Sequence, residues 1–403
     1  MTTTEARTTF STVYDRTPAV VASAPGRVNL VGGHTDYNEG LVLPIAVDLR
    51  IAVAAAPRED GRFRLRSTDF AGEVVVDGLP DEPLHGEDRS WANYSLGVLG
   101  ELDGGLARLD GGLDLLVAGD VPRGAGLSSS AALEVATAAA AYGVGGEAGN
   151  DLDSAREELP RRELAEAGWR AETGFVGLDC GIMDQYASAL CRAGEALFLD
   201  CRSRETEAVP FDGESAYRVV VVDTRVEHEL AESAYNDRVA ECRDATERFD
   251  RLVGGVDSLR DVDRDAFVAH ADDLPGTLRR RVRHVVTENE RVRTSVEALR
   301  DGDFDAVGAR MYESHASLRD DYEVSCRELD AVVDIARGTE GVVGARMTGG
   351  GFGGSVVALV SSHAVDDFRA RVDRGYPDRV DVDAEPRTFV CTSADGVRLD
   401  RSA

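Results

Sequence analysis

Lysine does not occur anywhere in this 403-residue chain. Each of its 45 basic side chains is therefore arginine, set against 74 aspartates and glutamates for a formal net charge of −29. So acidic a surface repels phosphate backbones, which argues against nucleic-acid binding by bulk electrostatics. Self-repulsion of this size also destabilises the compact state wherever the Debye length is long. The acidic, lysine-free composition points to a protein adapted to molar salt. Cysteine is scarce as well: Cys180, Cys191, Cys201, Cys242, Cys326 and Cys391 form no C-x-x-C pair and have no histidine at co-ligand spacing. That pattern excludes a zinc site and a disulfide framework, and reduced, buried thiols are expected. No run approaches the ~20 apolar residues that a membrane span needs. The opening MTTTEARTTF lacks the charged-then-apolar layout of a secretion signal. A soluble cytoplasmic protein with neither membrane nor nucleic-acid partners is expected.

Apolar material is plentiful, at 43% of residues against 30% charged, and this excludes disorder along the whole chain. The length exceeds the roughly 100–200 residues usual for one domain, so two lobes are expected, 1–200 and 201–403. Ala19–Ala22, Leu41–Val47, Ile51–Ala56 and Val74–Val76 are rich in apolar and β-branched residues and read as strands, as do Val219–Asp223, Val342–Met347 and Ser355–Val360. Helical spacing runs through Arg89–Leu102, Ala131–Tyr142, the stretch following Asp223 as far as Asp250, and Leu278–Leu299. Gly143–Ser154, rich in glycine and acids, reads as a loop. Strands and helices mix without strict alternation, so the expected class is α+β. The arginine run Arg279–Arg283 lies on a helix whose Leu278, Val282, Val285 and Val286 read as core-facing, and an ion-paired or solvated face is expected for it.

Three segments carry chemistry. In Val121–Glu134 (VPRGAGLSSSAALE), Gly124 and Gly126 permit close backbone approach to a ligand, and the following helix offers free N–H groups and the positive end of its dipole. Ser128, Ser129 and Ser130 add hydroxyls suited to phosphate oxygens or a metal ion. The plainer reading is a glycine-serine helix start with Ser130 as cap. A Walker A loop is excluded, because its lysine is missing. In Ser23–Pro44, turn-forming glycines gather Arg27, Asn29, His34, Asp36 and Asn38 between apolar runs, as a polyol site requires, although a satisfied turn has the same look. Gly344–Gly354 (GARMTGGGFGG) links two strands by a glycine-rich turn.

These three segments, in this order, resemble the signature motifs of the GHMP kinase superfamily, and GRVNLVGGHTDYNEGLVLP resembles the sugar signature of its galactokinase family. The likeness continues through CGIMDQYAS (Cys180–Ser188), SAYNDR (Ser233–Arg238), RVRHVVTENERV (Arg281–Val292), SHASLRDDYEVSCRELD (Ser314–Asp330) and RMTGGGFGGS (Arg346–Ser355). It implies a two-lobed GHMP kinase fold with the active site in the cleft between lobes. The implied activity is phosphorylation of a sugar's anomeric hydroxyl by ATP with Mg2+, in a monomer or weak oligomer.

Carried over position by position, the resemblance makes Asp184 the catalytic base and Arg27 the group that offsets charge growing on the transferred phosphoryl. Ser130 and Glu172 would hold magnesium. Gly124, Ala125, Gly126, Leu127, Ser128, Ser129 and Ser130 would cradle the triphosphate, with Trp91 and Ser67 near the nucleoside. Gly33, His34, Thr35, Asp36, Gly181 and Tyr235 would line the sugar site, Asp36 reading the C3 and C4 hydroxyls. One position departs: galactokinases usually carry a glutamate contacting the C6 hydroxyl where this chain has Gly33. D-galactose is the expected substrate, with L-arabinose or D-galacturonate as the alternative. A sensor that binds sugar and ATP without turnover is a further alternative, opposed by the intact Ser128–Ala132, Asp184 and Arg27.

Overall fold

The computed structural model of the chain describes residues 2–86, 88–145, 159–211, 216–227, 231–381 and 385–401. Strand β1 (Val20–Asn29) is buried at all ten positions. It lies between two helical layers, and this explains why its sequence lacks the apolar-polar alternation of a one-faced strand. Helix α1 (Thr2–Tyr14) covers one face through Ala6 and Phe10, which pack on Val21, Ala52 and Ala54. Against the other face lies α2 (Ser129–Gly145), whose alanines let it approach the sheet closely. Of the Gly143–Ser154 segment read as a loop, residues 143–145 finish this helix, and 146–154 lie outside the described residues.

The segments read as two strands, Leu41–Val47 and Ile51–Ala56, divide differently. β2 is only Leu41–Val42, and β3 runs unbroken from Pro44 to Pro57 through the polar Asp48-Leu49-Arg50. The ladder to β1 stops at Arg50, opposite Pro25, and resumes at Ala46, opposite Arg27, so the strand bridges the residues between, and Arg50 donates to the carbonyls of Ser23, Asp395 and Gly396. With β4 (Arg62–Ser67), β5 (Val74–Asp77), β6 (Gly112–Gly119) and β13 (Arg398–Arg401) these form a six-stranded sheet in the order β13-β1-β3-β6-β4-β5. Its edge strand β13 comes from the far end of the chain. β2 joins β7 (Glu195–Asp200) and β8 (Thr206–Pro210) in a small separate sheet.

A second core surrounds the four-stranded antiparallel sheet β10-β11-β9-β12, in which β9 is Tyr217–Glu227, β10 Val342–Thr348, β11 Gly353–Ser361 and β12 Arg387–Cys391. The long helix Gly276–Arg300 ties the two cores together: Val282, Val285 and Val286 pack in the second, Val292, Val296 and Leu299 in the first. Its arginine run is ion-paired, Arg279 with Asp272, Arg280 and the buried Arg281 with Glu323, and Arg283 with Asp321. The architecture is α+β, as the sequence indicates. Among the described residues no helix is long and apolar enough to cross a membrane.

Candidate active site

Close packing of glycines puts the charged groups in place. β1 changes register between Pro25 and Arg27, a bulge that re-aims the side chain following it. Gly26, inside the bulge, has no room for a Cβ: one would stand 2.8 Å from the Leu127 carbonyl oxygen. The strand therefore lies directly against the serine-glycine loop, with the Arg27 amide donating to that same carbonyl at 3.0 Å. Across the loop, Gly126 (φ 66°) faces the second core, and a Cβ there would fall 2.7 Å from the Thr348 carbonyl oxygen. Both glycine-rich turns thus converge on one point from opposite cores.

At that point Arg27, 4% exposed, grips Asp184 with both arms: Nε donates to Oδ1 at 2.7 Å and Nη2 to Oδ2 at 2.6 Å. Its remaining Nη1 donates to the Gly126 carbonyl at 2.7 Å. Ser128, held at a left-handed φ of 56°, donates its hydroxyl to Asp184 Oδ2. The helix behind it starts at Ser129, with the Ala132 amide bonded to the Ser128 carbonyl, so Ser130 is inside the first turn and does not cap it. Ala125 and Leu127 bury their side chains, leaving only backbone groups to face a ligand.

A cavity of about 250 Å³ opens beside Asp184. Its wall includes Arg27, Gly33, His34, Asp36, Gly181 and Tyr235. Gly181 is obligatory, because a Cβ would run into the Asp36 carboxylate. Burial, with Asp184 nearby, pushes the Asp36 carboxyl up to about 6. His34 takes φ 59° and is hydrogen-bonded through Nδ1 at 2.9 Å to the Tyr37 hydroxyl. Burial lowers its pKa to about 3, which leaves a neutral ring. Thr35 does not reach the cavity. Its fully buried hydroxyl donates to the Gly32 and Leu41 carbonyls, holding the turn that positions its neighbours. Asn38 likewise braces that turn through the His34 carbonyl at 3.0 Å.

A second cavity, about 610 Å³, is lined by Ser67, Trp91, Ser129 and Ser130, together with Phe70 and Arg123. Trp91 stacks on Phe70 at 5.3 Å with the rings 9° apart, and the Arg123 guanidinium lies 4.3 Å from the Phe70 centroid. Between the cavities, Glu172 occupies a π-helical turn (Ala171–Val176) that follows the helix Arg161–Arg170. It lines the smaller cavity and is hydrogen-bonded to Ser130, which lines the larger. Gln185, fully buried, donates to Glu172 Oε2 at 2.7 Å and to Glu134 Oε2 at 2.9 Å. Burial pushes both carboxyls upward, helped by the charge of Glu172 on Glu134 and that of Asp184 on Glu172. Cys180 Sγ donates to Glu172 Oε2 at 3.2 Å, and burial raises its thiol pKa. All six cysteines are free, but only Cys191, Cys242 and Cys391 are fully buried.

Residues 8–57 match the model of the galactokinase galactose-binding signature, 93–192 that of the GHMP kinases N terminal domain, and 295–378 that of the GHMP kinases C terminal. A galactokinase of Roseiflexus sp. (strain RS-1) is 44% identical over 98% of this chain and 96% of its own. Another, from Streptomyces coelicolor, is 46% identical over 91% of each. The chain belongs to the galactokinase family. It is thus a sugar kinase. The crystal structure of Lactococcus lactis galactokinase complexed with galactose superposes with a TM-score of 0.88 at 35% identity, covering 98% of both chains. Methanococcus jannaschii mevalonate kinase, at 17% identity and TM-score 0.60, shares the fold.

Within this galactokinase-family site, sequence reading missed Phe70, Arg123, Gln185, Glu134 and Arg346 as contributors. Arg346 had a legible signal, a charge inside an apolar strand between Ala345 and Met347. Phe70 and Arg123 had none, since they meet Trp91 only through the fold.

Proposed function

We propose that the chain transfers the γ-phosphoryl group of ATP to the C1 hydroxyl of D-galactose, giving galactose 1-phosphate and ADP. The observation that carries the reading is the Asp184 carboxylate, gripped by Arg27, standing where the smaller cavity meets the serine-glycine loop. Family membership and the galactose complex of the Lactococcus lactis relative support the same assignment.

The sugar would occupy the smaller cavity with its C1 hydroxyl at Asp184, which takes the proton as that oxygen attacks. Asp36 accepts from ring hydroxyls, and His34, with a neutral ring, adds another hydrogen-bonding group. Arg27 fixes the carboxylate and supplies positive charge where the phosphoryl negative charge builds. ATP would fill the larger cavity, with the base near the Trp91–Phe70 stack and the phosphates against Gly124–Ser130. Glu172 and Ser130 offer hard oxygens facing both cavities, a donor set that fits Mg2+. No cluster of three His, Cys, Asp or Glu suited to a metal exists among the described residues, so such an ion would take most of its ligands from phosphate and water. When bound, it would neutralise phosphate charge. The lobes would divide near residue 200, with β13 returning to the first. Sugar and nucleotide are the only partners this reading needs, and the charge of −29 suits a molar-salt medium.

The test is an ADP-release assay in molar KCl with Mg-ATP and D-galactose, followed by phosphorus NMR of the product. Phosphate on C1 is expected. ADP release that does not depend on sugar, or a phosphate on another carbon, would overturn the assignment.

A further inference from the structure

Asp184 and Gln185 are neighbours in the helix Met183–Leu190 with opposite surroundings. Asp184 faces the sugar cavity, whereas Gln185 is fully buried and lines neither cavity. Its one amide nitrogen donates twice, to Glu172 Oε2 at 2.7 Å and to Glu134 Oε2 at 2.9 Å. Asparagine and glutamine are the uncharged side chains with two donors on one atom, so few residues could make this bridge. Glu134 is also fully buried and lines neither cavity, so it does not itself reach an ion held between them.

The bridge closes a ring. Glu134 follows Ser130 by one turn of α2, on the same face of that helix. Ser130 is hydrogen-bonded to Glu172, Glu172 to Gln185, and Gln185 to Glu134. The two side chains with oxygens suited to Mg2+ are thereby held in one arrangement. Glu172 depends on such bracing, because the π-helical turn that carries it contains Gly174 and ends at Gly177 (φ 87°), which have no side chains to fix it. Packing holds the bridge as well: a Cβ on Gly168 would stand 3.2 Å from both Gln185 Cγ and Glu134 Cβ. Cys180 Sγ donates to Glu172 Oε2 at 3.2 Å, the same oxygen that Gln185 holds, and neither engages Oε1.

We infer that Gln185 and Glu134 are positioning residues for the metal: they fix the angle at which Glu172 offers its other oxygen beside Ser130, and so make the site favour Mg2+ over the larger Ca2+. The inference rests on the reading that Glu172 and Ser130 hold the ion, and deepens it. Mg2+ demands near-ideal octahedral geometry, whereas Ca2+ accepts flexible arrangements of oxygens. Where the protein supplies few ligands, a carboxylate free to swing therefore costs Mg2+ more than Ca2+.

The experiment measures binding without turnover. Mn2+ is titrated into wild type, Gln185→Leu, Glu134→Ala, Glu134→Gln and Glu172→Gln, each with D-galactose and a non-hydrolysable ATP analogue. Electron paramagnetic resonance follows the free Mn2+, and Mg2+ or Ca2+ then displaces the bound ion. The wild type should prefer Mg2+. Gln185→Leu should weaken Mg2+ roughly 10–100-fold and Ca2+ less than about threefold. Glu134→Ala should shift the preference the same way by a smaller factor. Glu134→Gln keeps an acceptor oxygen for Gln185 and should restore it. A merely structural role would weaken both ions and the metal-free analogue together. A wild type without the preference, a preference unchanged in Gln185→Leu and Glu134→Ala, or equal loss for both ions overturns the inference. Should Gln185→Leu fail to fold by circular dichroism, Glu134→Ala decides alone. Glu172→Gln separates the two readings. If it binds Mn2+ as the wild type does, Glu172 is no metal ligand, and both readings fall together. If it loses affinity while the preference stays fixed in the other variants, the inference alone falls.

Discussion

Replacing Asp36 by asparagine should make the sugar-free protein more stable while damaging its activity. Asp36 is packed beside Gly181 and near Asp184, and burial with like-charge repulsion lifts its carboxyl from 3.8 to about 6. A difference of that size corresponds to about 3 kcal/mol of penalty on the charged form. Asparagine keeps one acceptor oxygen for the backbone hydrogen bonds from Tyr37 and from the residue's own amide and loses the other, which costs part of the gain from removing that penalty. The net gain at pH 7.5 is therefore expected at about 1–2 kcal/mol. The sign follows from proton binding. The folded value lies above the unfolded one, so the folded state holds the extra proton between about pH 4 and 6. The wild type thus loses this contribution as pH rises through 6, and its disadvantage against Asp36→Asn should vanish below about pH 4. Denaturant unfolding in molar KCl at several pH values measures this directly. Sugar kcat/KM should fall roughly 10–100-fold in the same variant, because a charge-assisted bond is lost. An asparagine variant no more stable than wild type at pH 7.5, with a pH-independent difference, would refute the reasoning.

Three further outcomes are expected. Asp184→Asn should lower kcat by about 10²–10⁴ with little change in KM for ATP, as measured by steady-state ADP release, since the proton acceptor is lost while the nucleotide cavity is untouched. Trp91→Ala should raise KM for ATP about tenfold and cost about 3–5 kcal/mol of stability, because the ring is 8% exposed and stacked on Phe70; Trp91→Phe should recover most of both in the same assays. Melting temperature and activity should both climb as KCl increases from about 0.1 M to about 2 M, as screening relieves the repulsion of a −29 chain; calorimetry showing a flat response would remove the molar-salt reading.

Local chemistry made much of the site readable in the chain alone. Gly124, Gly126 and the serines of the loop stand together because a helix start that faces phosphate needs small residues and free amides within a few positions. Arg27, His34 and Asp36 are near one another in sequence, so their common cavity was foreseeable. The α+β class followed from runs of two periodicities. The ion pairing of Arg279, Arg280 and Arg283 was legible too, since the apolar positions of that helix left these arginines the outer face and its acidic neighbours, whereas the burial of Arg281 was not.

Contacts made at long sequence separation were not legible. The unbroken strand from Pro44 to Pro57 crosses a polar stretch because its partner β1 continues beside it, and a window of residues does not contain its partner. Thr35 has the makings of a sugar ligand, but the fold turns its hydroxyl onto loop carbonyls. Phe70 meets Trp91, Gln185 bridges Glu134 and Glu172, and Arg346 lies under Gly33 only once the sheets and the helix Gly276–Arg300 have brought two cores together. Sequence by itself determined which residue types were available and which short segments could bend toward a ligand. Tertiary structure decided which of them share a cavity and which polar atoms are left unpaired in it, because burial and pairing are properties of neighbours in space.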